Sequence, residues 1–232
     1  MKKTRSDLTK QEEYVKKHKR HRVEVRFLRL FFFFAFLLLW EVSARFEWID
    51  SFFFATPTIA VRCFWRLCVE RSLITHIGIT LAETILSFIL VFLISLIVST
   101  MLWSSTKFAE VLEPYLVILN SLPKSALAPL FIVWLGTGLK TIVVAGISVA
   151  LFGSIISFYT GFRQVDPEKI TLIQTLGGHK KDAFTKVVLP GSIPILLSTT
   201  KVNIGLALVG VIIGEFLAAR RGLGYVIIYG SQ

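Results

Sequence analysis

GFRQVDPEKITLIQTLGGHKKDAFTKVVLP, residues 161–190, is a polar island between two long apolar segments, and it carries its own helix punctuation. Asp166 followed by Pro167 reads as a helix start, a capping acid and then a proline at the first helical position. Ile170, Ile173 and Leu176 follow at i, i+3, i+6, a one-sided apolar stripe. Gly177-Gly178 stops that helix, because glycine tolerates the left-handed conformation of a C-terminal cap. A second short helical pattern over 180–188 is expected to end at Leu189-Pro190. The island therefore reads as two short helices joined at a glycine bend and presented outside an apolar slab, a shape suited to docking a partner.

The flanking composition explains the slab. The hydrophobic fraction is 54%, the mean hydropathy +0.69, Phe occurs 20 times and charged residues make up only 18%. These values exceed those of an ordinary soluble domain. An all-α, polytopic helical bundle with about five membrane spans follows. The spans are read at 27–46, 77–103, 111–135, 141–159 and 193–216, each long enough for a ~30 Å hydrocarbon core. The third is interrupted by Pro114, Pro123 and Pro129. Residues 57–70 mix Ile59, Arg62, Cys63, Trp65 and Arg66 at helical spacing, the pattern of a short amphipathic helix at the outer surface. Three regions result: a basic N-terminal segment 1–26, a first span with its external amphipathic piece 27–71, and a transmembrane domain 72–232 that carries the 161–190 loop.

The net charge is +11, and residues 1–29 hold eleven Lys and Arg against four acids. Because this basic run directly precedes an apolar span, the positive-inside rule places it in the cytoplasm, beside anionic lipid headgroups. No nucleic-acid partner is implied, and the segment is expected to be retained rather than cleaved. Alternation from an inside N-terminus puts 161–190 inside as well. Arg220 and Arg221 then fall outside, against the rule. Cys63 and Cys68 would lie about 140° apart on a helix, too divergent to bridge, and no spacing suggests a zinc site.

Residues 161–190 resemble the cytoplasmic coupling loop of bacterial ABC importer permeases. Gly177 matches that loop's glycine, Val187 its aliphatic position, and Leu189-Pro190 its ending, with no insertion. Thr171-Leu172-Ile173 stands where the family carries Glu-Ala-Ala, so the acid is missing. Phe54-Ala55-Thr56-Pro57-Thr58, Ala126-Leu127-Ala128-Pro129-Leu130, and Gly214-Glu215-Phe216 with Gly222-Leu223-Gly224-Tyr225 extend the likeness over 54–230. It is nearest the branch that imports nitrate, sulfonates, taurine, bicarbonate or thiamine precursors. The resemblance implies the type I importer permease fold. It also implies a homodimer working with two ATPase subunits and an extracytoplasmic solute-binding protein, in the bacterial plasma membrane. The family usually has one more helix, so the chain is expected to be C-terminally short.

No Gly-x-x-x-x-Gly-Lys-Ser/Thr loop occurs, so ATP would be used by the partner and no cofactor or metal is expected on this chain. No catalytic residue is assigned. The coupling residues are Asp166, Pro167, Thr171, Gly177, Gly178, Val187, Leu189 and Pro190. Candidates for the translocation path are Asn120, Pro123, Lys124 and Pro129 in the broken span, and Lys201, Asn203 and Glu215 in the last, because polar groups and unwound backbone at membrane depth line cavities. Glu83 is expected near the outer interface, paired with a neighbour, and His76 is expected to be inert at headgroup level. An ion-coupled carrier and a membrane-embedded enzyme are the alternatives. Both would need convergent charges, and Glu83, His76 and Lys201 are scattered in sequence.

Overall fold

The computed structural model describes residues 5–46, 48, 55–69 and 72–230, and within them every regular element is a helix. Phe54, the first residue of one family match, lies outside them. The chain divides into two compact units, 1–70 and 71–232.

The first unit holds α1 (Arg5–Arg45) and α2 (Pro57–Val69). From Arg5 on, the basic N-terminal run belongs to α1 and is helically continuous with the apolar stretch. Its span-like part is Lys17–Arg45. Glu41 joins the two helices by accepting from the Thr58 hydroxyl at 2.9 Å and the Thr58 N–H at 3.2 Å, while Arg45 donates to it at 2.9 Å. α2 buries no residue, and Cys63 and Cys68 are free thiols.

The second unit is a bundle of α3 (Ser72–Ser104), α4 (Thr106–Ser121), α5 (Lys124–Leu135), α6 (Leu139–Arg163) and α9 (Leu189–Ala218). Its smaller elements are α7 (Pro167–Thr175), α8 (Lys180–Ala183) and α10 (Leu223–Gly230). α6 lies at the centre, against α3 and α9. The approach is close because the contact positions are small: a Cβ on Gly210 would stand 2.8 Å from the Ala145 carbonyl oxygen, and one on Gly146 2.7 Å from Ser87 Oγ. In lipid, where burying apolar surface gives helices no advantage over remaining apart, such close backbone packing supplies the association. The α3 face turned inward is a stripe of small residues, Thr80, Thr84, Ser87, Ser95 and Ser99, with Val91 between. Ser87 and Ser99 donate to carbonyls four residues back and so satisfy themselves.

Contacts at the two ends of the bundle fix its topology. At one end the C-termini of α3 and α6 meet the N-terminal approach to α9: Lys180 Nζ donates to the Ser104 carbonyl at 2.6 Å, and Phe184 packs on both Trp103 and Phe162. At the other end Thr80 of α3 meets Glu215 of α9, and Gly214 abuts Ile142 of α6. α3 therefore finishes at the first end and α6 begins at the second, so the α4–α5 pair between them makes one crossing, although it is bent by 97°. The unit crosses four times, and α1 supplies a fifth span by length and hydropathy. Of the three prolines expected to interrupt the third span, only Pro123 does so. Pro114 and Pro129 lie inside α4 and α5.

The second short helix of the island does not end at Leu189-Pro190. α8 passes through a π-helical turn (Phe184–Val188) straight into α9, giving one helical run, Lys180–Ala218. A proline in a regular helix has no N–H to give and pushes its ring against the carbonyl four residues back. Widening the preceding turn removes that clash, and the Leu189 N–H then bonds Phe184 O, five residues earlier.

Candidate functional site

The end of the bundle that carries residues 161–190 is built from α7 inward. Asp166 caps α7 by accepting from the Glu168 N–H at 2.9 Å, with Pro167 at the helix start. The helix closes by a Schellman arrangement: Gly178 N–H bonds Ile173 O at 2.9 Å and Gly177 N–H bonds Gln174 O at 3.0 Å. Gly177 has φ +83°, the left-handed region that this motif requires. The His179 N–H then donates to Asp182 Oδ2 at 3.0 Å, capping the start of α8. Ile170 and Ile173 are half-buried, but Leu176 is not on the covered face. It is 75% exposed, with Leu172 beside it at 58%. Leu176 falls at the C-cap, where the chain has already turned off the helical path. Thr171 is exposed and its hydroxyl donates back to Pro167 O at 3.0 Å.

Behind α7 lies an aromatic clasp. Phe158, Phe162 and Val188 are fully buried, and Phe184 sits among them with ring centroids 5.2 Å from Trp103 and 5.4 Å from Phe162. Lys180 adds its ammonium 5.7 Å from the Trp103 ring centroid. Val165, Ile170 and Leu189 pack around the same cluster, and Val187 is half-buried. Ser192 bonds Gly161 O at 3.2 Å, tying the start of α9 to the end of α6. Through Phe184, Lys180 and Ser192 this end touches α3, α6 and α9 at once. Beside this end two adjoining clefts, of about 310 and 290 Å³, share Glu113, Tyr159 and Arg163.

The path candidates differ in exposure. Asn120, Pro123 and Pro129 are exposed and Lys124 half-buried, its ammonium donating to Asn120 O. Unwound backbone is confined to residues 122–123. Lys201 and Asn203 face different ways, because two residues turn a helix by about 200°. Lys201 is exposed, whereas Asn203 is buried with its Nδ2 unpartnered.

Glu215 is fully buried at the far end, bonded to Thr80, a residue that sequence reasoning passed over. Three successive N–H groups of the glycine-rich turn are captured by three side chains. Gly222 donates to His76 Nδ1 at 2.9 Å, Leu223 to Thr80 Oγ1 at 2.9 Å, and Gly224 to Glu215 Oε2 at 2.7 Å. Thr80 donates to Glu215 Oε1 at 2.6 Å, which closes the network. His76, expected to be inert, is thus a structural acceptor. Glu83 is buried near this network with one carboxyl oxygen unpartnered. Gly222 has φ +112°, and a Cβ there would stand 2.2 Å from Glu215 Oε1. Thr80 had a signal in the sequence: it opens a run of small polar residues at helical spacing. The clasp residue Phe184 had none, being one of many Phe.

Comparison with known proteins decides the family. Residues 91–232 match the model of the binding-protein-dependent transport system inner membrane component. The chain belongs to this family. The permease is 30% identical over 196 residues to the "Probable ABC transporter permease protein" of Haemophilus influenzae, covering 84% of this chain and 79% of the relative. It is 26% identical to the formylaminopyrimidine transport permease of Halalkalibacterium halodurans, covering 84% of this chain and 77% of that one. Against the crystal structure of an amino acid ABC transporter with histidines it reaches a TM-score of 0.50 at 19% identity, over 72% of this chain and 88% of that chain, a likeness of fold alone. The permease is therefore a multi-pass plasma-membrane component of an ABC importer with the type I fold. It is a transport subunit, not an enzyme, and it associates with a separate ATPase and a substrate-binding protein. Among the described residues no group of three or more His, Cys, Asp or Glu could hold a metal.

Proposed function

We propose that this chain forms, as a homodimer with two ATPase subunits, the membrane path for a small organic solute, and that residues 161–190 are its docking point on the ATPase. The observation that carries the reading is the aromatic clasp. Phe184 joins the loop to the inner ends of α3 and α6 and stands at the head of α9, so closure of the ATPases would swing three spans together. The N-terminus and the loop lie on the cytoplasmic side, in keeping with the basic run at 1–29.

Docking is mainly apolar in this reading. Thr171 has no charge and uses its hydroxyl within α7, while Leu172 and Leu176 project outward. Exposed Leu side chains rimmed by Lys169, Glu168 and Gln174 suit an apolar groove on a partner. The solute class rests on relatives named for formylaminopyrimidine, aliphatic sulfonates, taurine and riboflavin.

The test is co-purification with the cognate ATPase, followed by transport and ATP hydrolysis measured together in proteoliposomes. The intact chain should give a hydrolysing complex that moves solute. Phe184→Ala should hydrolyse ATP with several-fold less solute moved per ATP, whereas Phe184→Leu, which keeps the bulk, should lie between. A Phe184→Ala complex that transports with normal stoichiometry would remove the clasp from the mechanism. A chain that binds no ATPase would remove the loop.

A further inference from the structure

We propose that α2 holds an anionic phospholipid of the outer leaflet, with Arg62 and Arg66 on its phosphate and Val61 and Trp65 along its glycerol and upper acyl carbons. The leaflet rests on the reading above, which puts the N-terminus in the cytoplasm and so the Arg45 end of α1 on the outer side.

Hydrogen bonds fix the start of α2 at the end of the first span. Thr56 accepts from the Ile59 N–H at 3.2 Å. Glu41, one turn before the end of α1, accepts from both the N–H and the hydroxyl of Thr58. A helix tied there lies where hydrocarbon gives way to headgroups, and its side chains suit that level. α2 buries no residue, and Ile59, Val61, Phe64, Trp65 and Val69 are all exposed. Apolar residues with a basic pair on one side make a helix that lies in the interface plane, with tryptophan at the boundary.

The arginines call for an anion. Arg62 and Arg66 stand four residues apart, one turn along the same face, so their charges repel. α2 holds no acid, and among the described residues neither arginine is in an ion pair. Glu41 is already taken by Arg45 and Thr58. A phosphate between the two guanidinium groups removes the repulsion and accepts from their planar forks two bonds at a time. Beside it, α2 carries a groove of about 550 Å³ lined by Pro57, Thr58, Val61, Arg62 and Trp65. Arg62 stands at 140° around the helix from Pro57, Val61 at 40° and Trp65 at 80°, so apolar surface continues directly from the charged edge. That pairing of cation and apolar bed matches a phospholipid, whose phosphate joins two acyl chains, better than an acidic protein surface. A zwitterionic headgroup brings its own cation to the phosphate, so two arginines without an acid select an anionic lipid.

The experiment reads tryptophan fluorescence of the permease–ATPase complex in phosphatidylcholine nanodiscs. Phosphatidylglycerol or phosphatidylcholine brominated on the upper acyl carbons is added in steps. Bromine quenches a ring that it touches, and the difference between the intact chain and Trp65→Phe isolates Trp65. Trp65 should be half-quenched at a mole fraction of phosphatidylglycerol about threefold or more below that of phosphatidylcholine. Arg62→Gln with Arg66→Gln should make the two lipids equal while Trp65 stays quenched by both. Arg62→Lys with Arg66→Lys, which keeps the charge and loses the fork, should keep part of the preference. Assembly with the ATPase, read by size exclusion, controls for folding. Equal quenching by both lipids in the intact chain overturns the proposal, and so does a preference that survives the glutamine pair. No quenching of Trp65 by either lipid also overturns it and gives α2 to a protein partner. The side of the membrane is read separately, with an impermeant thiol reagent on spheroplasts carrying Trp48→Cys, Cys63→Ser and Cys68→Ser. Labelling of intact spheroplasts supports the outer leaflet. Labelling only after the membrane is opened overturns the orientation reading and with it the leaflet, while the lipid preference is judged by the quenching alone.

Discussion

Thr80→Val tests the network at the outer end most directly. Valine matches threonine in shape but neither donates nor accepts. The substitution removes the acceptor of the Leu223 N–H and the donor to Glu215 Oε1. A half-buried N–H left unpaired costs about 1–3 kcal/mol, and a lost bond to a carboxyl group a similar amount, so the soluble-protein scale gives about 3 kcal/mol for the pair. Membrane proteins average nearer ~0.6 kcal/mol per side-chain bond, giving ~1.2 kcal/mol. At 1.4 kcal/mol per tenfold, local opening of the turn should become roughly 7- to 140-fold more frequent. The assay is amide hydrogen exchange at residues 222–224 in detergent, with the α6 amides as an internal standard. Thr80→Ser, which keeps the hydroxyl, should exchange within about threefold of the intact chain on the same scale. If Thr80→Val also stays within about threefold, the turn is held by packing and not by the hydrogen bonds described, and the account of the network is refuted.

Three further outcomes are expected. Gly177→Val places a β-branched residue at φ +83°; it should cost about 1–2 kcal/mol locally and uncouple ATP hydrolysis from transport, checked by solute moved per ATP. Gly210→Val forces a side chain to within 2.8 Å of the Ala145 carbonyl; it should separate α6 from α9 and lower the melting temperature in detergent, whereas Gly205→Val, where no atom lies within 4 Å, should leave it nearly unchanged. Asp166→Ala removes one capping bond and should cost about 1 kcal/mol of α7 stability, with Asp166→Asn restoring most of it, as read by proteolysis of the loop.

The sequence alone determined a good deal. Composition and apolar run length called for a helical membrane protein, because backbone in hydrocarbon must satisfy its own hydrogen bonds. Asp166-Pro167 and Gly177-Gly178 marked both ends of α7, because caps and left-handed turns are decided within a few residues. The glycine and Leu-Pro spacing of the loop pointed to the family that the 91–232 match establishes.

Tertiary structure alone decided the rest. No local rule shows that Pro190 is carried by a π turn and not by a helix end, since that depends on α8 and α9 lying on one axis. The single crossing of the bent α4–α5 pair follows from which ends of α3, α6 and α9 meet. That Asn203 and not Lys201 is the buried one follows from which face of α9 is covered. The capture of residues 222–224 by His76, Thr80 and Glu215 joins positions up to 146 apart in the chain. Side chains that bond across such separations leave no period or spacing to read, because only helix packing brings them together.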